Sequence, residues 1–351
     1  MIKILHSADW HLDSPMQQRS QEQAQQLRRA LHSIPSRLAA VCREEQCDLV
    51  LLSGDLFDGP YAADTLREVK TALAEMAVPV FITPGNHDFC NPESPYFTEI
   101  WSGNVHIFTN PFIESITVPQ LDCRIYGAGF QSMDCPALLE HFQAEGVERY
   151  HIGLLHGDPL QRNSPYCPIT TQQVTASALT YLALGHIHKA GSFTAGETLC
   201  GWPGCPMGRG NDETGEKGVY IVTLEDTVEL EFIPLDTPRF YDLEAEVTTS
   251  PYDAVAALLP PVGNEDYYRI TLTGEAEAFE LNALQFPQFP NLEVRDRTQP
   301  PMDLWGCIGE DSLEGTYFRM LHDLMQEDPQ TATLAARISR KILDGQEVVL
   351  P

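Results

Sequence analysis

The sequence predicts an α/β protein: a two-sheet β-sandwich flanked by helices, carrying a small α+β domain and a C-terminal helical tail. Three observations predict it. Short apolar runs alternate with helical patterns over the first ~235 residues, and strands dominate later in that stretch. Five polar motifs each sit directly after an apolar run, where α/β folds place their functional groups. Finally, Leu235-Asp236-Thr237-Pro238-Arg239 and Pro300-Pro301 punctuate the chain. They divide it into an α/β domain over 1–237, a small α+β domain over 238–300 and a helical tail over 301–351.

The elements follow in order. Ile2-Lys3-Ile4-Leu5 reads as a strand. The Gln-rich stretch Gln17–Gln26 runs as a loop into a long helix over 22–45, where Leu27, Leu31, Ile34, Leu38 and Val41 recur at spacings of three and four. Pro35 kinks or splits that helix, because it lacks a backbone N–H. Leu49–Leu52 is a buried strand, 63–76 a second helix and 78–82 a third strand. Further strands are expected at 105–108, 113–118, 123–127, 151–155, 180–184, 218–224 and 228–234. The small α+β domain reads strand 240–247, helix 252–259, strand 267–273, short helix 278–285 and strand 292–295. The tail offers helices over 312–326 and 331–343. The first of these puts Leu313, Tyr317, Met320, Leu321 and Leu324 on one stripe.

Composition narrows the function. At 351 residues and 43% hydrophobic, the chain can bury a core, and no apolar run approaches the ~20 residues that cross a bilayer. The start, Met1-Ile2-Lys3-Ile4-Leu5-His6, lacks a long apolar signal segment, and nine cysteines without a C-x-x-C pair suit reduced thiols. A cytoplasmic protein is therefore expected. Lys plus Arg total 22 against 50 Asp plus Glu, for a net charge of −28. Such a chain repels a polyanion unless bound cations or a basic partner reverse the field locally. Residues 236–310 hold 4 basic and 14 acidic side chains, so the small α+β domain is the part least suited to touch nucleic acid. Arg19, Arg28, Arg29, Arg37 and Arg43 gather in one segment, the usual composition of a solvated helix face.

The motifs are Asp9-Trp10-His11, Gly54-Asp55-Leu56-Phe57-Asp58, Gly85-Asn86-His87-Asp88, His156-Gly157-Asp158 and Gly185-His186-Ile187-His188. One such motif alone is more often a hydrogen-bonded structural feature than a ligand. Five at successive strand exits bring carboxylate, imidazole and amide together without thiolate. That mixed N/O set suits Mn²⁺, Fe²⁺ or Zn²⁺ in five- or six-coordination rather than a structural zinc site. His6 reads as a satisfied core histidine, Cys205 as a small buried residue, and Asp13 and Asp158 as surface or cap residues.

The series D-x-H, G-D-x-x-D, G-N-H-D, H and G-H-x-H resembles the calcineurin-like metallophosphoesterase superfamily. The run Ile4–Leu12 and the Gly54–Asp58 loop are similar to its SbcD-like DNA-repair nuclease branch. Trp202-Pro203-Gly204-Cys205-Pro206 and Glu213-Thr214-Gly215-Glu216-Lys217-Gly218 resemble a signature of the bacterial YhaO-type subgroup. The resemblance implies two adjacent divalent metals, Mn²⁺ being the expected ion. Asp9, His11, Asp55 and His188 would hold the first; Asp55, Asn86, His156 and His186 the second. It implies that His87 stabilises the transition state or protonates the leaving 3′-oxygen, with Asp58 orienting it. Beside these, Asp88 reads either as a support for the site from behind or as a turn-forming residue, and Arg209 either as reaching a phosphate in the cleft or as a surface residue.

The function so implied is a metal-dependent exonuclease and endonuclease subunit, a hydrolase acting on DNA ends or hairpins in DNA repair. It would form a homodimer and dock through its tail on a coiled-coil ATPase of the SbcC or YhaN type, with no membrane involved. Two alternatives stand beside it: a phosphodiesterase for a small substrate such as a cyclic nucleotide, and a non-catalytic scaffold for the ATPase. The scaffold reading calls for a degraded ligand set, and none of the seven metal-ligand positions is missing.

Overall fold

A computed structural model describes residues 1–16 and 20–345 as two compact units. The first comprises residues 1–242 and 264–268, the second 243–263 and 269–351. Arg19 and the start of the Gln-rich stretch lie outside the described residues, as do residues 346–351 of the tail.

The first unit begins with β1 (Ile2–Ser7), α1 (Gln21–His32), α2 (Ile34–Glu44), β2 (Leu49–Leu52), α3 (Ala63–Glu75), β3 (Val80–Ile82), α4 (Pro95–Thr98) and β4 (Val105–Ile107). It continues through β5 (Glu114–Val118), β6 (Cys123–Gly127), β7 (Tyr150–His156), α5 (Thr171–Ala176) and β8 (Tyr181–Gly185). Last come β9 (Lys189–Ala195), β10 (Thr198–Gly204), β11 (Gly218–Leu224) and β12 (Val228–Pro234). Two six-stranded sheets result, ordered β12-β11-β1-β2-β3-β4 and β5-β6-β7-β8-β10-β9.

Alternation along the strands builds three layers of core. Ile4, Leu49, Leu51 and Phe81 of the first sheet meet Ile125, Ile152, Leu154 and Tyr181 of the second. Their neighbours Leu5, Val50, Leu52, Val80 and Ile82 turn the other way onto Leu27, Leu31, Leu38, Val69 and Leu73 of the helices. Strands covered on both faces read as unbroken apolar runs for this reason. β1 to β4 pair in parallel, as do β6, β7 and β8, so the strands within each set end at a common edge. At the site edge Gly185 comes so close to the Ser53 carbonyl that a Cβ there would overlap it.

The expected long helix breaks at Ser33, two residues before Pro35. Pro35 therefore falls in the first turn of α2, where a missing N–H costs nothing. A capping box at Ser20, with Gln23 reciprocating, starts α1.

β9 and β10 appear where no strand was expected. β9 is a largely exposed edge strand of small and polar residues, and Gly201, Pro203 and Gly204 hide β10 from a propensity reading. Asp158 is also not a surface residue: it is 2% exposed and accepts from the Leu160 and Gln161 amides, pinning the turn after β7.

A three-stranded sheet is ordered β13 (Phe240–Val247), β14 (Tyr267–Gly274) and β15 (Leu292–Asp296). The second unit also contains α6 (Pro251–Leu258), α7 (Leu313–Leu324) and α8 (Pro329–Leu343). The expected helix over 278–285 is only a 3₁₀ turn, Leu281–Ala283. None of those eight residues is buried, so nothing offsets the cost of nucleating a helix. In α7, Phe318 and Leu321 pack with Leu304, Cys307 and Ala336. The rest of the anticipated stripe, Leu313, Tyr317, Met320 and Leu324, stays exposed. Among the described residues no helix is long and apolar enough to cross a membrane, and all nine cysteines are free and buried.

His6 bridges the two sheets in the buried interior. Its Nδ1 lies 2.8 Å from the Tyr181 hydroxyl and its Nε2 2.8 Å from Ser53 Oγ. Burial pushes its pKa down to about 3, so the ring stays neutral. We expect His6→Ala to cost about 2–4 kcal/mol, combining a cavity with two hydroxyls left without their partner. Urea denaturation checks this, and a loss below about 1 kcal/mol would mean that water takes over the bridge.

Candidate metal centre

Four side-chain positions at this edge sit on left-handed backbone: Asp9 (φ 55°), His11 (φ 47°), Asp55 (φ 54°) and His186 (φ 97°). Such conformations cost of order 1–3 kcal/mol each for non-glycine residues and persist only where the surroundings enforce them. The enforcement is visible. The loop after β1 is zipped to the loop after β2 by Asp9 N to Gly54 O at 3.0 Å, His11 N to Asp55 O at 2.9 Å and Leu12 N to Leu56 O at 2.9 Å. The fully buried Trp10 anchors the first loop by donating to Ser7 Oγ at 2.9 Å.

The buried Asp88 carboxylate ties the loop after β2 to the loop after β3. Its Oδ1 accepts from Gly85 N (2.8 Å) and Asp55 N (3.2 Å). Its Oδ2 accepts from Leu56 N (2.7 Å), Phe57 N (3.3 Å) and the Tyr96 hydroxyl (2.6 Å). Gly85 is required at this junction, since a Cβ would stand 2.8 Å from the Asp55 amide nitrogen.

All seven positions that the motifs nominate as metal ligands are brought together. The donor atoms of Asp9, His11 and His188 lie within 4.8 Å of one another, and so do those of Asp9, Asp55 and His156. Asn86 Oδ1 is 2.9 Å from His156 Nε2 and 3.3 Å from His186 Nδ1. The His186 amide in turn donates to both Asp9 oxygens at 3.0 Å.

The donor set fits a divalent cation pair, because its lone pairs converge. His156 Nδ1 faces the Ser53 carbonyl at 2.9 Å and must carry the proton. Its Nε2 is then an acceptor, yet it points at Asn86 Oδ1 and lies 3.5 Å from Asp55 Oδ2. His188 repeats the pattern. Nδ1 donates to Glu213 Oε1 at 2.6 Å, which turns the Nε2 lone pair onto His11 Nε2 at 3.1 Å. Acceptors aimed at acceptors are repulsive until a cation stands among them.

Burial sets the protonation states. It lowers His11 to about 3 and His186 to about 4, the latter helped by His156, and it lowers His156 as well. It raises Asp9 to about 6 and, with Asp88 beside it, Asp55 to about 7. Near neutral pH these three imidazoles are free nitrogen donors, while the Asp9 and Asp55 carboxyls hold part of their protons.

His87 and Asp58 flank this cluster. His87 Nδ1 is 2.8 Å from Asp58 Oδ1, and its amide donates to Asp55 Oδ1 at 2.9 Å. Two imidazoles facing Asp58, His11 at 3.6 Å and His87 at 2.8 Å, hold its carboxyl well below the usual range. The same pairing raises the pKa of His87, whose side chain is 41% exposed.

Sequence reasoning missed the role of Glu213. Its Oε2 accepts from the Arg209 amide and its Oε1 from the Arg209 guanidinium, both at 2.7 Å, while Oε1 also orients His188. Burial would lower His188, but Glu213 and Asp9 together outweigh it and leave the pKa raised. Arg209 thus commits its Nε and one Nη2 hydrogen bond to Glu213, while its Nη1 lies 3.8 Å from Asp58 Oδ2. The signal was present in the Glu213–Gly218 stretch, although nothing in the one-dimensional pattern said which residue it would face. Tyr96 and Ser53 were equally invisible: each acts on a neighbour that no motif links to it.

A family model for the calcineurin-like phosphoesterases matches residues 2–190, more than half of the chain. The chain is 35% identical over 240 residues to YhaO, an uncharacterized metallophosphoesterase of Bacillus subtilis strain 168, covering 63% of this chain and 57% of that protein. It is 27% identical over 270 residues to SbcD, a component of the SbcCD nuclease of the same bacterium, covering 63% of this chain and 66% of that protein. The chain thus spans about three-fifths of the length of these curated relatives. A solved archaeal phosphodiesterase overlaps with a TM-score of 0.39 at 14% identity, over 67% of this chain and 100% of that one.

The raised carboxyls predict how pH governs metal binding. Their folded pKa values, about 6 and 7, exceed the unfolded value of ~3.9. In metal-free protein the stability they contribute is therefore complete below pH ~4 and lost as pH rises through 6 to 7. A divalent cation removes that loss, and protons compete with it at the carboxylates rather than at His11, His156 or His186. We expect Mn²⁺ to raise Tm by several degrees more at pH 8 than at pH 5.5. Equal shifts at the two pH values would show that Asp9 and Asp55 do not take the ion.

Proposed function

The chain belongs to the calcineurin-like phosphoesterase family, and on that premise we propose that it is a metal-dependent phosphodiester hydrolase acting on DNA. The observation that carries the hydrolase reading is the convergence of acceptor atoms from five strand exits at one buried edge. Asp9, His11, Asp55 and His188 hold one cation in this reading; Asp55, Asn86, His156 and His186 hold the second, and Mn²⁺ is the ion we assign. Two cations so held supply Lewis-acid activation of water and neutralise the charge developing on the phosphoryl oxygens.

The protein's own residues do the rest. Asp58 keeps Nδ1 of His87 protonated and fixes the ring plane, leaving Nε2 to hand its proton to the leaving oxygen. The raised pKa of His87 keeps that proton available closer to neutrality. Asp88 holds the Asp55 and Asn86–His87 loops in register. Glu213, itself held by Arg209, fixes the tautomer of His188, and Arg209 has its guanidinium near enough to Asp58 to meet substrate phosphate at the same rim.

Similarity to a nuclease component supports a nucleic acid as the substrate; DNA, and DNA repair as its setting, are the choice we assign. The charge of −28 then requires help in attracting a polyanion. We assign that help to a coiled-coil ATPase and its basic surface, with the chain working as a cytoplasmic homodimer. Residues 238–300 act as the capping module and 301–351 as the docking segment. Support for docking comes from α7, where Leu313, Tyr317, Met320 and Leu324 stand exposed along one face. The acidity alone favours a second reading, hydrolysis of a small phosphodiester, for which long-range repulsion matters less.

His87→Ala should lower hydrolysis of linear DNA by about 10²–10⁴-fold while metal content by elemental analysis stays at the wild-type value. Loss of metal along with activity would make His87 a ligand instead of a proton donor. If the wild-type protein with Mn²⁺ and its ATPase cleaves only small diesters, the second reading replaces the first. For the tail, the double variant Tyr317→Asp/Met320→Asp should no longer co-purify with a coiled-coil ATPase encoded beside this chain. Unchanged co-purification places the docking face elsewhere.

A further inference from the structure

Beside His87 lies a cavity of about 350 Å³ that none of the seven candidate metal residues lines. Pro60, Tyr61, Phe89 and Asn91 line it together with His87, and Glu93 stands at its exposed rim. Tyr61 and Phe89 are each partly buried, packed on one side against the core. The fully buried Phe57 backs Tyr61, with ring centroids 4.9 Å apart. The Asn91 amide oxygen accepts from Glu93 N at 2.9 Å, while its NH₂ makes only a long 3.5 Å contact with the Phe89 carbonyl.

No lysine or arginine lines this cavity, and Glu93 adds negative charge to it. A second phosphate would be repelled there. An uncharged planar ring suits it: two aromatic side chains and a proline offer stacking surface, and a loosely held amide offers a donor to a ring edge. Position decides which ring. The cavity shares His87 with the reacting centre, and His87 is the residue assigned to the leaving oxygen. Whatever that oxygen is attached to must lie on the His87 side.

We propose that this cavity seats the base of the nucleoside that carries the leaving oxygen. The inference rests on the hydrolase reading above and deepens it. It also eases the charge problem locally, because substrate is then gripped by a neutral base and one neutralised phosphate instead of by a basic track along the backbone.

Two measurements test the cavity separately from the chemistry. In the first, metal-free protein is mixed with adenosine or thymidine and followed by ligand-observed saturation-transfer NMR. Transfer to the base protons is expected with the wild type and with Tyr61→Phe, which keeps the ring, and not with Tyr61→Ala. Absent transfer, or equal transfer to Tyr61→Ala, overturns the proposal. In the second, kcat/KM is measured for a dinucleotide whose leaving nucleoside carries a base and for its abasic counterpart. The wild type should prefer the base-bearing substrate about tenfold, and the ratio should fall towards one in Tyr61→Ala. Turnover with no preference overturns the cavity assignment and leaves the hydrolase reading standing. Base contact that depends on Tyr61, with no turnover of either substrate, upholds the cavity and removes the hydrolase reading.

Discussion

One carboxylate organises this edge of the molecule. Asp88 accepts from four backbone amides and the Tyr96 hydroxyl, and those amides belong to two loops that leave neighbouring parallel strands. A buried carboxylate with five donors is tolerable in an apolar surrounding, and it leaves little freedom to the backbone that supplies them. Asp55, Asn86 and His87 are all carried on that backbone. Their mutual geometry is thus a property of hydrogen bonds made behind the site.

With the loops so held, the electrostatics of the site follow from burial. His11 and His186, surrounded by protein, lose affinity for protons, while the Asp9 and Asp55 carboxyls in the same cavity gain it. Two histidines have one nitrogen committed to an acceptor, Ser53 O or Glu213 Oε1, which aims the other lone pair inward. The result is a cluster of acceptors facing one another, kept in place by left-handed backbone at four positions. Strain and repulsion of this kind are what a resident cation would relieve. His87 differs because it stays half-exposed and pairs with the strongly acidic Asp58, which raises its proton affinity where burial lowers that of His11, His156 and His186.

Much of the architecture was legible in the chain. Apolar runs at 2–5, 49–52 and 80–82 are strands because both their faces are covered, and the helices between them follow from spacings of three and four. The segments that escaped have clear reasons. β9 and β10 gain their place by pairing with each other, and β10 with β8, a long-range effect that outweighs the glycines and proline in β10. Segment 278–285 has helical composition but buries nothing, so local preference had no packing to support it.

The site divides the same way. Residue types and their positions after apolar runs pointed to a mixed nitrogen and oxygen metal site, because parallel strands deliver their ends to a common edge; the resemblance to the phosphoesterase motifs then named the seven candidate ligands, His87 and Asp58. Which nitrogen of His156 and His188 faces inward, and that Ser53 and Glu213 decide it, was settled only by the tertiary structure. Those partners lie 103 residues from His156 and 25 from His188, at separations that follow no helical or strand period. Periodicity speaks of neighbours along an element, whereas hydrogen-bond partners at a sheet edge are chosen by how separate elements pack.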